Sequence, residues 1–497
     1  MISSVAFLDG FPYGEIVEYK NYTSKVLYRP REEDKMKEKK SLFGDFAFYK
    51  SALAIAVPIM LQALIQNMVS LIDNFMVSGL GDISMSGVNV AGQILFVFMV
   101  FVNTITMAGG IFLTQFFGAK DKVGMQQAFI FKVLLGMSAF IPYFFVCRVF
   151  PRQVLSLMLI GNSQAPLILD EAVRYIRIMF WMGPLMTMSV SIASSLRDMG
   201  RVKAPLVVTV IATLTNTVFN YILIYGRFGF PALGVRGAAV ATVITRTVEF
   251  LIFVGIYIKV KPEFAISLRG GFKVDFRLFG EILKKGALML FCEMTWVISE
   301  TVNTAIFNSR GGAEVVSGMS ASFAIANLFF VAFGGIYSAT SVMIGKTLGE
   351  GNLEKARDQK NWLLSGSIVF GCIMTLVGFV TIALVPVVFG RLSPEAVSIT
   401  KRMVVVLALF MPVWVYINAQ QAVARSGGDT KMGAVGDATV TLIILMPMIL
   451  ILGIYTSIGP IQLFIYIKLV DFIKVTIFYF WLKKERWLKN LAEGHAA

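Results

Sequence analysis

Apolar runs of spanning length alternate with short polar turns along nearly the whole chain, at about 51–78, 87–115, 128–149, 171–195, 204–226, 233–258, 285–309, 315–345, 361–389, 398–424, 432–454 and 458–482. About 20 apolar residues suffice for a helix to cross a bilayer, so the pattern predicts twelve transmembrane helices. The turns hold the Gly, Pro and charged residues that the runs lack. The polar leader 1–40 precedes the first run, 259–284 is the longest inner break, and 483–497 follows the last run. This predicts an all-α membrane protein with a leader, a six-helix lobe at 41–258, a linker, a six-helix lobe at 285–482 and a short tail.

The two halves repeat. Arg197-x-x-Gly200-x-x-Lys203 returns as Arg425-x-x-Gly428-x-x-Lys431, and Gly118-Ala119-Lys120-Asp121 as Gly349-Glu350-Gly351-Asn352. Asp73 falls opposite Asn303 at a near-equal offset. Each half has an even number of spans, so the repeats are parallel, related by a pseudo-two-fold axis along the membrane normal, an arrangement suited to alternating access.

Composition agrees and adds orientation. The chain is 57% hydrophobic and 15% charged, against roughly 45–50% and 25% in soluble domains. The net charge of +15 concentrates in the leader, the even-numbered loops and the tail. Basic loops stay in the cytoplasm, which places both termini there, in the plasma membrane, and explains the charge without nucleic acid. Cys147, Cys292 and Cys372 lie in or beside apolar runs without CxxC spacing and read as buried free thiols. The single histidine, His495, is in the tail, which excludes a His-dependent metal or catalytic site. Residues 1–40 lack a signal-peptide core and read as a cytoplasmic leader, whose Asn21-Tyr22-Thr23 sequon would go unused.

The chain resembles the MATE (multidrug and toxic compound extrusion) family over about residues 42–485. The resemblance is carried by Ala56-Val57-Pro58, by Ser70-Leu71-Ile72-Asp73-Asn74-Phe75-Met76-Val77, and by Gly118-Ala119-Lys120-Asp121. It continues in the stretch from Ser195 to Thr242 and in Arg425-Ser426-Gly427-Gly428-Asp429-Thr430-Lys431. It implies a secondary active exporter that antiports Na⁺ or H⁺ against amphipathic, often cationic, small molecules. No cofactor beyond the coupling ion is implied, and the chain is expected to act as a monomer.

Polar groups inside a bilayer are costly and so point to function or to a partner. Asp73 matches the family's span-1 acid. Asn216 and Asn220, one turn apart on one helix face, stand where an acid is often found, and either ligate a cation, bond Asp73, or only hold their helix. Glu293 resembles the span-7 acid of the Na⁺-coupled branch, with Glu300 two turns on. Its span-10 partner is replaced by the neutral Asn418, Gln420 and Gln421, expected in the substrate cavity. Asp73 and Glu293 are the candidate Na⁺ ligands, and amide oxygens tilt the balance toward Na⁺. Pro58 predicts a helix bend. Arg246 and Glu249 are expected to neutralise each other. Asp437 reads as interfacial, and Lys468, Asp471 and Lys474 as a self-paired stripe or headgroup contact. The Arg197–Lys203 turn reads as a surface orientation signal away from substrate. A flippase for a lipid-linked or polysaccharide precursor is the alternative, disfavoured by few unpaired cations. A membrane-embedded enzyme would need more than Gly79-Leu80-Gly81-Asp82 in an outer loop.

Overall fold

The computed structural model describes residues 41–160, 164–266, 274–309, 312–389 and 392–495; the leader and its sequon lie outside them. Among the described residues there are helices and turns but no strand. The helices are α1 Phe46–Ser78, α2 Asp82–Gly118, α3 Lys122–Phe144, α4 Pro151–Leu157, α5 Ala165–Met179, α6 Met182–Asp198, α7 Lys203–Tyr225 and α8 Val235–Val260. The second half holds α9 Phe276–Asn308, α10 Ala313–Gly349, α11 Leu353–Val388, α12 Pro394–Ser426, α13 Lys431–Gly433, α14 Met446–Tyr455 and α15 Pro460–Lys483.

Among the described residues, nine helical segments are long and apolar enough to span a membrane, or ten if α5 and α6, bent by 51° at their junction, form one span. In that count Lys122–Val149 and Lys431–Tyr455 are single spans. The 33-residue α9 and the 24-residue α15 complete twelve segments; polar residues described below keep these two less apolar. Large apolar side chains such as Leu71, Leu214, Leu376 and Ile443 stand more than half exposed, as a lipid-facing surface requires and a soluble monomer rarely tolerates on this scale.

Local signals explain the boundaries. Asp121 Oδ1 accepts from Gly124 N at 3.0 Å to cap α3. Its repeat counterpart Asn352 accepts from Lys355 N at 3.0 Å to cap α11; such caps satisfy otherwise orphaned first-turn N–H groups. The R-x-x-G-x-x-K turns have a backbone reason too. Gly200 and Gly428 adopt φ of +75° and +73°. Arg201 N then donates to Leu196 O at 2.8 Å and Asp429 N to Ala424 O at 2.9 Å. This is a helix-closing motif that glycine adopts without strain. The π-helical stretches Phe145–Val149, Ala434–Ala438 and Thr441–Leu445 interrupt the regular hydrogen bonding. α1 continues through Pro58 without a break.

The halves meet where the repeated Gly118 and Gly349 end α2 and α10. A Cβ on Gly118 would overlap Lys346 O, and one on Gly349 would overlap Gln115 O. The two contacts are reciprocal, since 118 and 349, like 115 and 346, are 231 residues apart. Beside this seam the chain after α15 is packed down. Trp487 is fully buried, Gln115 Nε2 donates to Ser426 O at 2.6 Å and Lys489 O at 3.3 Å, and Leu491 N donates to Gln115 Oε1 at 2.6 Å. Arg357 grips Glu485 with two bonds of 2.7 and 2.8 Å. The expected linker is shorter than 259–284 because α9 starts at Phe276. Its described part is anchored: Phe264 is fully buried and Gln126 Nε2 donates to Ala265 O at 2.8 Å.

Candidate functional site

Two polar regions stand out. The first lies within the N-terminal half, where α1 and α7 pack together. Asn216 and Asn220 lie four residues apart on α7, so both amides face α1. Asn220 Nδ2 donates to Asp73 Oδ1 at 2.6 Å. The Asn216 amide, oriented with its nitrogen toward the carboxylate, donates to the same oxygen at 2.7 Å; that orientation is assigned from the hydrogen-bond network. Asn220 Oδ1 is buried without a hydrogen-bond partner, an uncompensated polar atom of the kind that buried sites rarely leave. Arg246 pairs with Glu249 at 2.6 Å on α8, three residues apart as expected, and its charge reaches Asp73.

The second region is a cavity of about 940 Å³, lined chiefly by α9, α10, α12, the π-helical stretches and α15, with α2 and α6 on the other wall. Glu293, Glu300, Asn418 and Gln421 line it. Asp73, Asn216 and Asn220 do not, so the expected coupling residues form two separate groups. Gln420 departs from expectation: it is fully buried away from the cavity, its Nε2 reaching Val475 O at 3.5 Å.

Most cavity charges are already engaged. Arg425 Nη2 lies 3.7 Å from Glu293 Oε1 and its guanidinium sits 5.7 Å from the Tyr337 ring centre. Lys474 Nζ bonds Asp437 Oδ1 at 2.6 Å and Thr441 Oγ1 at 3.0 Å, while Gln421 Nε2 donates to Asp437 Oδ2 at 3.3 Å. Asp471 Oδ2 accepts from Trp414 Nε1 at 2.7 Å. Asp198 is held from behind by Lys132, whose fully buried ammonium also bonds Ser194 and Ser195.

Arg197 and Asp198 line the cavity although their turn reads as a surface signal, and Arg425 is the repeat equivalent of Arg197. Helical side chains lean toward the N-terminus of their helix, so arginines in the last turn of α6 and α12 extend back into the protein. Asp437 is a cavity residue, not an interfacial one. Lys474 pairs across helices with Asp437, and Asp471 with an indole, so α15 carries no self-paired stripe. Glu293, proposed as a Na⁺ ligand, faces a guanidinium that competes with any cation. Cys147 and Cys292 are buried and free as expected, but Cys372 is exposed, on the apolar outer face of α11.

A polar cluster within the N-terminal half thus stands apart from a cavity that both halves line. The MatE family model matches residues 58–222 and 289–457, one match per half. The chain is 24% identical to the multidrug resistance protein MdtK of Yersinia enterocolitica over 73% of this chain and 78% of that one. It is 22% identical to the uncharacterized transporter YisQ of Bacillus subtilis over 88% and 95%. A crystal structure of MATE in the straight conformation matches with a TM-score of 0.78 at 20% identity, covering 89% of this chain and 97% of that chain. Two repeat-spaced halves, each matched by one family model on a twelve-helix, two-lobed fold, make this chain a member of the MatE family of multidrug efflux transporters, and not an enzyme.

Proposed function

We propose that this protein is a Na⁺-coupled antiporter that exports amphipathic small molecules by alternating exposure of the central cavity. The lobes are α1 to α8, ending at Val260, and α9 to α15, starting at Phe276; the working unit is a monomer, and both termini face the cytoplasm of the cell membrane. The observation that carries the choice of ion is the orphaned Asn220 Oδ1 beside the Asp73 carboxylate. Na⁺ prefers hard oxygen ligands. A half-turn of the Asn216 amide exchanges a donor for a second amide oxygen facing the same carboxylate. Binding the ion costs Asp73 the bond from Asn216, which links the ion to the contact between α1 and α7. Glu293 is not assigned to the ion because Arg425 already balances it.

The flippase reading gains cavity cations, since Arg197 and Arg425 join Lys468 and Lys474. Arg425 and Lys474 are paired internally, and the acids Glu293, Glu300, Asp437 and Asp471 on the same wall disfavour a diphosphate. The test is transport in proteoliposomes with imposed Na⁺ or pH gradients. Substrate movement driven by inward Na⁺ and not by protons is expected. Movement under a proton gradient alone would refute the ion assignment, and no movement under either would sink the antiport reading.

A further inference from the structure

We infer that the chain after α15 is a strap that holds the seam end of the protein shut, and that Gln115 on α2 is the positioning residue that fastens it; this rests on the alternating-access reading, in which that end must open.

Gln115 is fully buried near the end of α2. Its amide is spent on the other half of the chain: Nε2 donates to Ser426 O at 2.6 Å and to Lys489 O at 3.3 Å, and Oε1 accepts from Leu491 N at 2.6 Å. A single side chain of the N-terminal half thus holds three backbone groups of the C-terminal part, two of them beyond the last span. Ser426 is the last residue of α12, so the same amide ties the R-x-x-G-x-x-K turn and the strap to α2 at one point.

The strap has its root in one half and its tip in the other. At the root, Trp481 Nε1 donates to Asp429 Oδ2 at 2.8 Å, Arg357 holds Glu485 with two bonds, and Trp487 is buried with Ile344, Leu348 and Phe478. At the tip, Ala492 is buried in the cluster that Phe112 and Phe116 of α2 share with Phe129 and Phe131 of α3, into which the start of α9 also packs. Asn490 Oδ1 accepts from Ala492 N at 3.0 Å and shapes that tip. Only residues 488–490 lie between Trp487 and Leu491, so parting of the halves pulls on both ends. A bidentate ion pair and a whole buried indole outweigh one buried alanine and two amide bonds. The tip is therefore the end that lets go.

The other repeat shows that crossing is not what the end of a half does by default. α8 ends as α15 does, with a left-handed residue, Lys261 at φ +45° or Glu485 at φ +52°, followed by a fully buried aromatic, Phe264 or Trp487. After that the paths diverge. Phe264 packs on Phe129 with ring centres 4.9 Å apart, Gln126 Nε2 donates to Ala265 O, and Ile266 N donates to Tyr257 Oη at 2.7 Å. The described start of the linker bonds its own half, whereas the strap bonds the opposite one.

Cys292 in the cavity serves as the reporter in the full chain, with Cys147 and Cys372 replaced by serine. A membrane-impermeant maleimide is added to one face at a time, using right-side-out and inside-out vesicles. Gln115→Met keeps the bulk and removes all three bonds, Leu491→Pro removes only the N–H that the strap gives to Gln115, and Ala492→Asp drives a charge into the apolar cluster. Exchanging one such bond for water shifts an equilibrium by roughly 2- to 13-fold. Labelling from the strap face should therefore rise by about that factor in Leu491→Pro and by about 10-fold or more in Gln115→Met and Ala492→Asp, with labelling from the opposite face no faster. Acceleration from both faces would mark general loosening and overturn the strap, as would an unchanged rate from the strap face. Gln115→Met and Ala492→Asp strike opposite sides of the contact, so if one fails to fold the other decides. Wild-type labelling confined to one face under every gradient would overturn alternating access and the strap with it. Wild-type labelling from both faces, with the variants unchanged, would overturn the strap alone.

Discussion

Alanine at position 349 tests whether the glycine seam between α2 and α10 controls access to the cavity. The added Cβ would lie far inside the 3.0 Å that real Cβ atoms keep from a neighbour, and the atom it meets is the backbone carbonyl of Gln115. A carbonyl within a helix cannot swing aside as a side chain does, so the two helices must part by roughly 1 Å or more, at a cost of about 1–3 kcal/mol for overpacking. That cost falls on the state in which this end is closed. It shifts the balance toward the open state by roughly 5- to 150-fold. Cys292, which lines the cavity, reports the change once Cys147 and Cys372 are replaced by serine. Its labelling by a membrane-impermeant maleimide added from the seam side should accelerate by a factor in that range. Gly118→Ala should behave alike, because its Cβ meets Lys346 O. The double variant should show less than the summed effect, since one parting relieves both clashes. Unchanged labelling in both single variants would refute the assignment of the seam as the closure.

Three further outcomes follow from the polar clusters and the packed tail. Asp73→Asn should raise the Na⁺ half-saturation of export by about 30-fold or more, from the loss of about 2 kcal/mol in charge-assisted contact; a Na⁺ titration at fixed substrate checks it. Lys474→Met should destabilise the protein by about 1–3 kcal/mol, because the half-buried Asp437 loses its counter-ion and keeps only the Gln421 amide. Adding Asp437→Leu should restore most of the loss, as replacing a buried pair outright often does; thermal unfolding in detergent separates the two variants. Trp487→Ala should cost about 3–5 kcal/mol, the range for emptying a fully buried aromatic site, and should lower the thermal midpoint although Trp487 lies beyond the last span.

The spans were legible because a bilayer demands long apolar runs, and the repeat because glycine marks the same turn twice. The cluster of Asp73 with Asn216 and Asn220 was legible in part. Helical spacing puts both amides on one face, and only the fold shows that α1 supplies the acid to that face. Spacing rules failed at α15. They pair Lys468, Asp471 and Lys474 with one another, whereas Lys474 finds Asp437 on a π-helical stretch whose irregular winding no hydrophobic pattern announces. Arg197 is misplaced by the sequence for a different reason. A polar turn reads as surface, but a side chain in the last helical turn reaches backward by several ångströms.

The packed chain after α15 has a consequence for how the molecule is made. Gln115, near the end of the second span, bonds backbone groups of residues 489 and 491. During synthesis those partners emerge only after every span has left the ribosome. The halves can insert in order, each burying its own core, and Ser426 O can take the Gln115 amide nitrogen, while Gln115 Oε1 still waits for Leu491 N. The seal beside the glycine seam is therefore the last piece to form. A chain stopped after Lys483 would keep its twelve spans and its cavity yet lack that seal.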